Sequence, residues 1–209
     1  MKVLVVASNG RVGRLVVKNA LKKGFDVTGS GKGENLSEAG NYIQKNALDL
    51  TKKEVSGFDA VIDCAGGWDE KTINNIPNVM IHLANILEGT KTRLYVVGGA
   101  GSLFVNSERT ITVDMGKDFP VSWKPLSSAH GKGLAYLRQA KDLNWTYISP
   151  ACNFIADGEE TGKYKLGGEN MILNSKGEST ISYADYAIAL VDVIESGKNN
   201  KERISVVSL

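Results

Sequence analysis

The sequence predicts an α/β fold: a mostly parallel sheet with helices on both faces. Three observations lead there. Short apolar runs alternate along the chain with segments of helical periodicity. The first run, Val3–Ala7, is apolar at every position, as a strand covered on both faces must be. The runs at 58–67 and 93–101 both end in glycine-rich turns, as strands that feed helices in a doubly wound sheet do.

The elements follow in order. After the strand at 3–7, a helix is expected from Arg11 to about Lys23. Val12, Val16 and Ala20 share one side of it, joined by Leu15 and Leu21, and Gly24 ends it. "FDVTGS" (25–30) is a second strand, and the polar, glycine-rich stretch 31–41 is a loop. "YIQKNA" (42–47) is a weak third strand and "FDAVIDCAGG" (58–67) a fourth. Residues 78–89 have helical spacing through Val79, Leu83, Ile86 and Leu87. "RLYVVGGAG" (93–101) is a fifth strand with its turn. A helix at 130–143, a strand at 145–150, a helix at 183–196 and a strand at 203–209 complete the series. Residues 151–182 lack periodicity, and are expected as a substrate-side insertion above the C-terminal edge of the sheet, within a single domain spanning 1–209.

Composition narrows the function. The 25 basic and 23 acidic residues leave a net charge of +2, which gives no reason to expect nucleic acid or an anionic membrane as partner. No apolar stretch approaches the ~20 residues of a membrane span, and the first apolar run is too short for a signal peptide. Cys64 and Cys152 lie far apart, and the only histidines are His82 and His130, so no protein-bound metal is expected and the thiols are read as reduced. The expected location is the cytoplasm, and the expected state a monomer or homodimer.

The turn after the first strand carries the chemistry. Its spacing is Ala7-x-x-Gly10-x-x-Gly13, between a strand and a helix. Such a turn puts a dinucleotide's pyrophosphate against unpaired N–H groups and the positive end of the helix dipole. Gly10 permits close approach of the phosphate, and Gly13 lets the helix lie tight on the strand. Asn9, Arg11 and Val12 belong to the same turn. Ala7 stands where a first glycine is usual, and its methyl is expected to fit a turn of negative φ. The second strand ends without a carboxylate for a ribose 2′-hydroxyl. Ser30, Lys32 and Arg11 are placed instead to hold a 2′-phosphate, which favours NADPH over NADH, with either nicotinamide cofactor left open. Asp49 and Leu50 are expected at the adenine edge. Cys64, Ala65 and Gly66, with Gly98 and Gly99, are small residues at strand ends where ribose and nicotinamide would pass.

At this point the chain resembles a family over nearly its whole length. "ASNGRVG" is similar to "GATGRxG", and "NWTYISPACNF" (144–154), "TGKYKLGGENMI" (161–172) and "STISYADYAIALVDVIE" (179–195) are similar to "WTxxSPAxxF", "RTGKYRxG" and "SxISxxDYAxAxxDxxE". These are marks of the atypical short-chain dehydrogenases called NADH-flavin-reductase-like proteins, relatives of biliverdin-IXβ reductase and of the NmrA-like NAD(P)-binding proteins. The resemblance implies a Rossmann fold and hydride transfer from NAD(P)H to a flavin or a quinone-like small-molecule acceptor. A non-catalytic redox sensor of the NmrA-like kind is the alternative. Departures are Ala7, Glu160 in place of an arginine, and the absence of Tyr-x-x-x-Lys: Tyr136 is followed four residues later by Ala140. Without that tyrosine, no phenol is poised to protonate a carbonyl, whereas a flavin accepts hydride with less help.

Further candidates follow from the resemblance and the strand ends. Ser102 lies near the position of a catalytic serine. Pro150 and Asn153 are placed to flank the nicotinamide, and Phe154, Thr161, Tyr164 and Trp68 to line a substrate pocket. His82 reads as structural, and His130 is expected at a helix start.

Overall fold

A computed structural model describes residues 1–209. The chain forms β1 (Lys2–Val6), α1 (Arg11–Lys22), β2 (Asp26–Gly31), β3 (Asn41–Gln44), α2 (Lys52–Val55), β4 (Ala60–Asp63), α3 (Asn75–Leu87) and β5 (Arg93–Val97). It continues through α4 (Lys124–Gln139), β6 (Asn144–Ser149), β7 (Asn153–Ile155), β8 (Tyr164–Gly167), β9 (Thr180–Ser182), α5 (Tyr183–Ser196) and β10 (Glu202–Ser208). The main sheet has eight strands in the order β3-β2-β1-β4-β5-β6-β10-β8. Every pairing in it is parallel except β10 with β8. This is a Rossmann-like, doubly wound architecture.

Strand alternation builds two cores from one sheet. Val3 and Val5 face one side with α1 and α5, together with Ile62, Tyr95 and Ile148. Leu4 and Val6 face the other side with α3 and α4, together with Val61, Leu94 and Tyr147. The period of two sends successive side chains to opposite layers, so a strand covered on both faces is apolar throughout.

The strand order reverses between β1 and β4: the chain runs outward to β3, returns to β4 and then proceeds the other way. Val6 is in register with Ser30 on β2 and with Asp63 on β4, Asp63 with Val96 on β5, and Val97 with Ile148 on β6. The segments after β1, β2, β4, β5 and β6 therefore leave the sheet along one edge. That edge, at the reversal point, is where an open α/β sheet forms its binding crevice.

Three expectations change. The fourth helix starts at Lys124, six residues before the expected start at His130, and ends at Gln139. Pro125 sits in its first turn, where the missing N–H costs nothing. The pair Gly131 and Gly133 imitated a helix start, but Gly133 is a packing glycine: a Cβ there would lie 2.4 Å from the Met80 sulfur on α3. The 151–182 segment also does more than overhang the sheet. Its β8 is the antiparallel edge strand, and its β7 pairs with β9 in a small parallel sheet. The third strand stops at Gln44, short of the expected Ala47.

Candidate functional site

The glycine turn is built by its own hydrogen bonds. Gly10 N–H donates to Ala7 O at 3.0 Å, and Ser8 N–H donates to Ser30 O at 3.0 Å, tying the turn to the end of β2. Ala7 has φ 57°, the left-handed region, so the expectation of a negative φ is wrong. Alanine stands where glycine would be unstrained, and the methyl carries a cost of about 1–2 kcal/mol. Ala7→Gly relieves it, less the extra freedom glycine brings to the unfolded chain. The expected result is a melting temperature raised by about 2 °C, read by thermal denaturation.

Gly13 behaves as its spacing requires. A Cβ there would lie 2.5 Å from Ala7 O and 2.9 Å from Ser8 Cα. α1 can therefore approach β1 only with glycine at this position. Gly10 is less constrained, since its Cβ would meet Ala7 O at 3.3 Å.

The N-terminus of α1 is left open. Its first intrahelical bond runs from Arg14 N–H to Gly10 O at 2.9 Å, so the N–H groups of Arg11, Val12 and Gly13 come before it. No side chain caps the helix and no acidic residue lies in its first turn. Arg11 and Lys32 are exposed, and neither enters any of the six ion pairs. Uncommitted N–H groups, a helix dipole and two free cations along one edge suit a phosphate-bearing ligand. Gly66 faces open space, with nothing within 4 Å of a Cβ built on it. These residues fit a dinucleotide.

Other candidates lie elsewhere or are already engaged. The Asn9 side chain donates to Glu34 O and the Tyr42 hydroxyl and accepts from Leu36 N–H, pinning the 31–40 loop over the end of β2. Ser30 is buried in β2, and its hydroxyl has no protein partner. Asp49 is exposed, whereas the Leu50 side chain is buried among the α3-side core residues and its backbone is engaged, the N–H by Ala47 O and the carbonyl by His82. Gly98 and Gly99 are explained by packing: a Cβ on Gly98 would meet the Tyr147 ring at 2.3 Å, and one on Gly99 the His130 ring at 2.8 Å. Cys64 and Ala65 are half-buried, and Pro150 is buried just beyond β6.

Ser102 is not free to act. Its Oγ and its carbonyl both accept from the Arg203 guanidinium, at 2.9 and 2.8 Å. The other side of that guanidinium meets Glu169, which also pairs with Arg138 at 2.6 Å. Sequence reading missed this group, because Arg203 stands near the start of an apolar strand and reads as a surface charge.

Of the remaining predicted site residues, Thr161 and Phe154 meet the start of α5, Tyr164 binds farther along it, and Asn153 and Trp68 are exposed. Thr161 donates from its N–H and hydroxyl to Asp185 at the start of α5. The Tyr164 hydroxyl donates to Asp192, whose carboxylate also pairs with Lys23, just beyond the far end of α1 from the glycine turn. Phe154 packs on Tyr183 and Tyr186, with ring centroids 4.1 and 4.9 Å away. Asn153 is exposed on β7. Trp68 is 75% exposed in the loop after β4, and so covers no core. His82 Nε2–H donates to Leu50 O, 2.8 Å away, in a structural contact. No cluster of three His, Cys, Asp or Glu side chains could hold a metal, and no helix is long and apolar enough to cross a membrane.

Two strand-end groups have perturbed acidity. Asp63, at the end of β4, is 2% exposed, and burial raises its carboxyl to about 7 against a single compensating hydrogen bond from Ala65 N–H. Burial, with the Asp63 charge beside it, pushes the Cys64 thiol up, so it is a poor nucleophile at neutral pH. A carboxyl raised in the fold gives stability that is full below the ordinary carboxylate range and lost as pH climbs through about 7. Asp63→Asn keeps the acceptor for Ala65 and removes the charge. The variant is expected to melt several degrees above the wild type at about pH 8, with the gap narrowing as pH falls and closing below about pH 4, as read by calorimetry.

The sequence pattern of the NAD(P)H-binding family matches residues 8–197. The chain belongs to the NAD(P)H-binding family. Among its relatives is YwnB of Bacillus subtilis strain 168, a protein of uncharacterised function, 35% identical over 210 residues that cover 100% of this chain and 99% of YwnB. The crystal structure of SP1627 from Streptococcus pneumoniae, provisionally assigned as an NADH-flavin reductase, is similar with TM-score 0.97 and 45% identity over 100% of both chains. A provisionally assigned epimerase from Bacteroides thetaiotaomicron is similar with TM-score 0.86 and 29% identity, over 100% of this chain and 97% of that one. This NAD(P)H-binding chain thus sits among the atypical short-chain dehydrogenases, as its motifs imply.

Proposed function

We propose that the protein is an NAD(P)H-dependent oxidoreductase that passes hydride to a flavin or a similar conjugated small-molecule acceptor. The observation that carries this reading is the open N-terminus of α1 at the reversal point of the sheet, with no acid and no cap in front of it. Gly10, Arg11, Val12 and Gly13 are proposed to hold the pyrophosphate, with Ser30 and Lys32 at the adenosine ribose and Asp49 by the adenine. Cys64, Ala65, Gly66 and Pro150 would flank the nicotinamide half. The bound nicotinamide supplies the hydride.

The side chains support an acceptor that needs little acid catalysis. Ser102 is engaged by Arg203, the Cys64 thiol is held protonated, and the Tyr136 hydroxyl donates to Asn85. No Tyr-x-x-x-Lys pair offers a proton to a carbonyl, which argues against ketone reduction and against sugar-nucleotide epimerisation. A conjugated ring system takes hydride without such a pair. The test is loss of nicotinamide absorbance when riboflavin, FMN, FAD or a quinone is added to enzyme and NADPH. Turnover with at least one acceptor is expected, and none with any would overturn the reading.

The same absence favours one second reading, a sensor that binds NAD(P) without turnover. Tight cofactor binding with no acceptor reduced would select it.

Arg11 and Lys32 favour NADPH. Lys32→Ala is expected to weaken NADPH binding about tenfold and leave NADH nearly unchanged, by calorimetric titration of both. Equal effects on the two cofactors would remove Lys32 from the 2′-phosphate.

A further inference from the structure

Beside the end of β5, Tyr147 and His130 form a pair packed against Gly98 and Gly99. The Tyr147 hydroxyl, on a fully buried side chain of β6, accepts from Gly99 N–H at 2.9 Å and lies 3.3 Å from His130 Nδ1 on α4. With the phenol oxygen already accepting, its own proton needs an acceptor, and His130 Nδ1 is the one in reach. Nδ1 is then unprotonated, and the ring proton sits on Nε2. Nε2 has no hydrogen-bond partner in the protein and is not among the buried atoms left without one, so it opens to the surroundings. The ring lies against Gly99, two residues past β5 on the crevice edge, where no side chain could stand between them.

We propose that Tyr147 fixes His130 as the Nε2–H tautomer, and that this N–H is the hydrogen-bond donor to the hydride acceptor. The proposal rests on the hydride-transfer reading above and names the residue that reading lacks. In the step, the nicotinamide C4–H bond breaks, and its hydrogen and electron pair form a new bond to the acceptor. The nicotinamide is oxidised and the acceptor reduced to an anion, which takes its proton from water. His130 keeps its proton throughout. It stabilises negative charge where that charge develops, which a donor fixed in advance does with little reorganisation cost. The role also explains why Gly98 and Gly99 are both glycine: one admits the Tyr147 ring and the other the His130 ring.

The surroundings keep the imidazole neutral. Burial lowers His130 to about 4. The charged groups that bear on its partner Tyr147 are Arg203 of β10, Arg138 of α4 and Asp63 of β4, and burial raises Tyr147 itself. Neither member of the pair changes charge near neutral pH, so the donor is constant across the working range.

The test has two parts, both on the full chain. Long-range proton–nitrogen spectra of the labelled protein report the tautomer directly, with or without turnover. The expected spectrum is Nε2–H, unchanged down to about pH 5, with Tyr147→Phe giving a mixture of tautomers. An Nδ1–H ring in the wild type would overturn the proposal. In steady state with NADPH and riboflavin, His130→Phe is expected to lower kcat about 100-fold with NADPH affinity held within about twofold. His130→Gln, whose amide N–H reaches the same place, should recover about tenfold of that loss. A wild type that turns over beside a fully active His130→Phe would overturn the donor while leaving the hydride-transfer reading intact. If the wild type reduces no acceptor, the hydride-transfer reading fails instead. The Nε2 resonance on adding riboflavin then decides: a saturable shift supports a donor to the bound ring system, and an unmoved resonance overturns it.

Discussion

Gly13→Ala is expected to destabilise the protein by about 2 kcal/mol and to weaken NADPH binding at least tenfold. Propensity alone argues the other way, since alanine inside a helix is favoured over glycine by about 1 kcal/mol. Packing reverses the sign. The new methyl would sit 2.5 Å from the Ala7 carbonyl oxygen and 2.9 Å from Ser8 Cα, and both are backbone atoms that no rotamer change can move. Overpacking of this kind costs about 1–3 kcal/mol, and here the relief available is a shift of α1 away from β1. That shift moves the N–H groups of Arg11 and Val12, which is why binding falls along with stability. Calorimetric titration and thermal melting read the two effects. A variant as stable as the wild type would mean that the helix does not depend on this contact.

The second large effect is expected at Arg203. Its side chain is fully buried in β10, donating to Ser102 on one side and to Glu169 on the other. Arg203→Ala leaves Glu169 and the Ser102 carbonyl without their main partner. Breaking a buried pair costs about 3–5 kcal/mol. The low end applies, because Glu169 is 26% exposed and retains Arg138. The expected loss is about 3 kcal/mol, or about 6–12 °C in melting temperature. The loop after β5 should also loosen, and protease cleavage within 102–112 is the local readout. Phe104 would lose the guanidinium that lies 5.7 Å from its ring. Arg203→Met tests the account further: an apolar side chain of similar length is expected to recover part of the stability but leave the loop cleavable, because Ser102 stays unheld.

The sheet and its reversal point were readable because one rule governs them. A strand buried on both faces is apolar through its middle, and β1 and β5 are apolar after their first residue, as β4 is up to Asp63. The glycine turn was readable for a related reason: Gly13 answers to backbone contact, which tolerates no substitute. Where a residue's surroundings come from distant segments, the sequence was silent. Gly98, Gly99 and Gly133 looked like turns or helix starts, yet each makes room for a side chain from another element, Tyr147, His130 or Met80. Ser102 looked catalytic because nothing local reveals Arg203, 101 residues away. Ala7 misled in the opposite sense. A methyl argues for negative φ, but the bonds from Gly10 to Ala7 and from Ser8 to β2 hold that residue left-handed against its preference. Thr161 and Tyr164 belong to a well-marked motif, and their partners Asp185 and Asp192 stand within another. The two motifs bind each other along α5, a fact about the scaffold that their resemblance to other proteins does not reveal.

The central claim is that a nicotinamide dinucleotide lies with its phosphates on the start of α1. Backbone proton–nitrogen spectra of the labelled protein, recorded during titration with NADPH, test it most directly. The account predicts saturable shifts that are largest at the amides of Arg11, Val12 and Gly13, with Lys32 moving for NADPH and much less for NADH. NADPH binding that leaves those three amides unmoved, or no binding at millimolar cofactor, would contradict it.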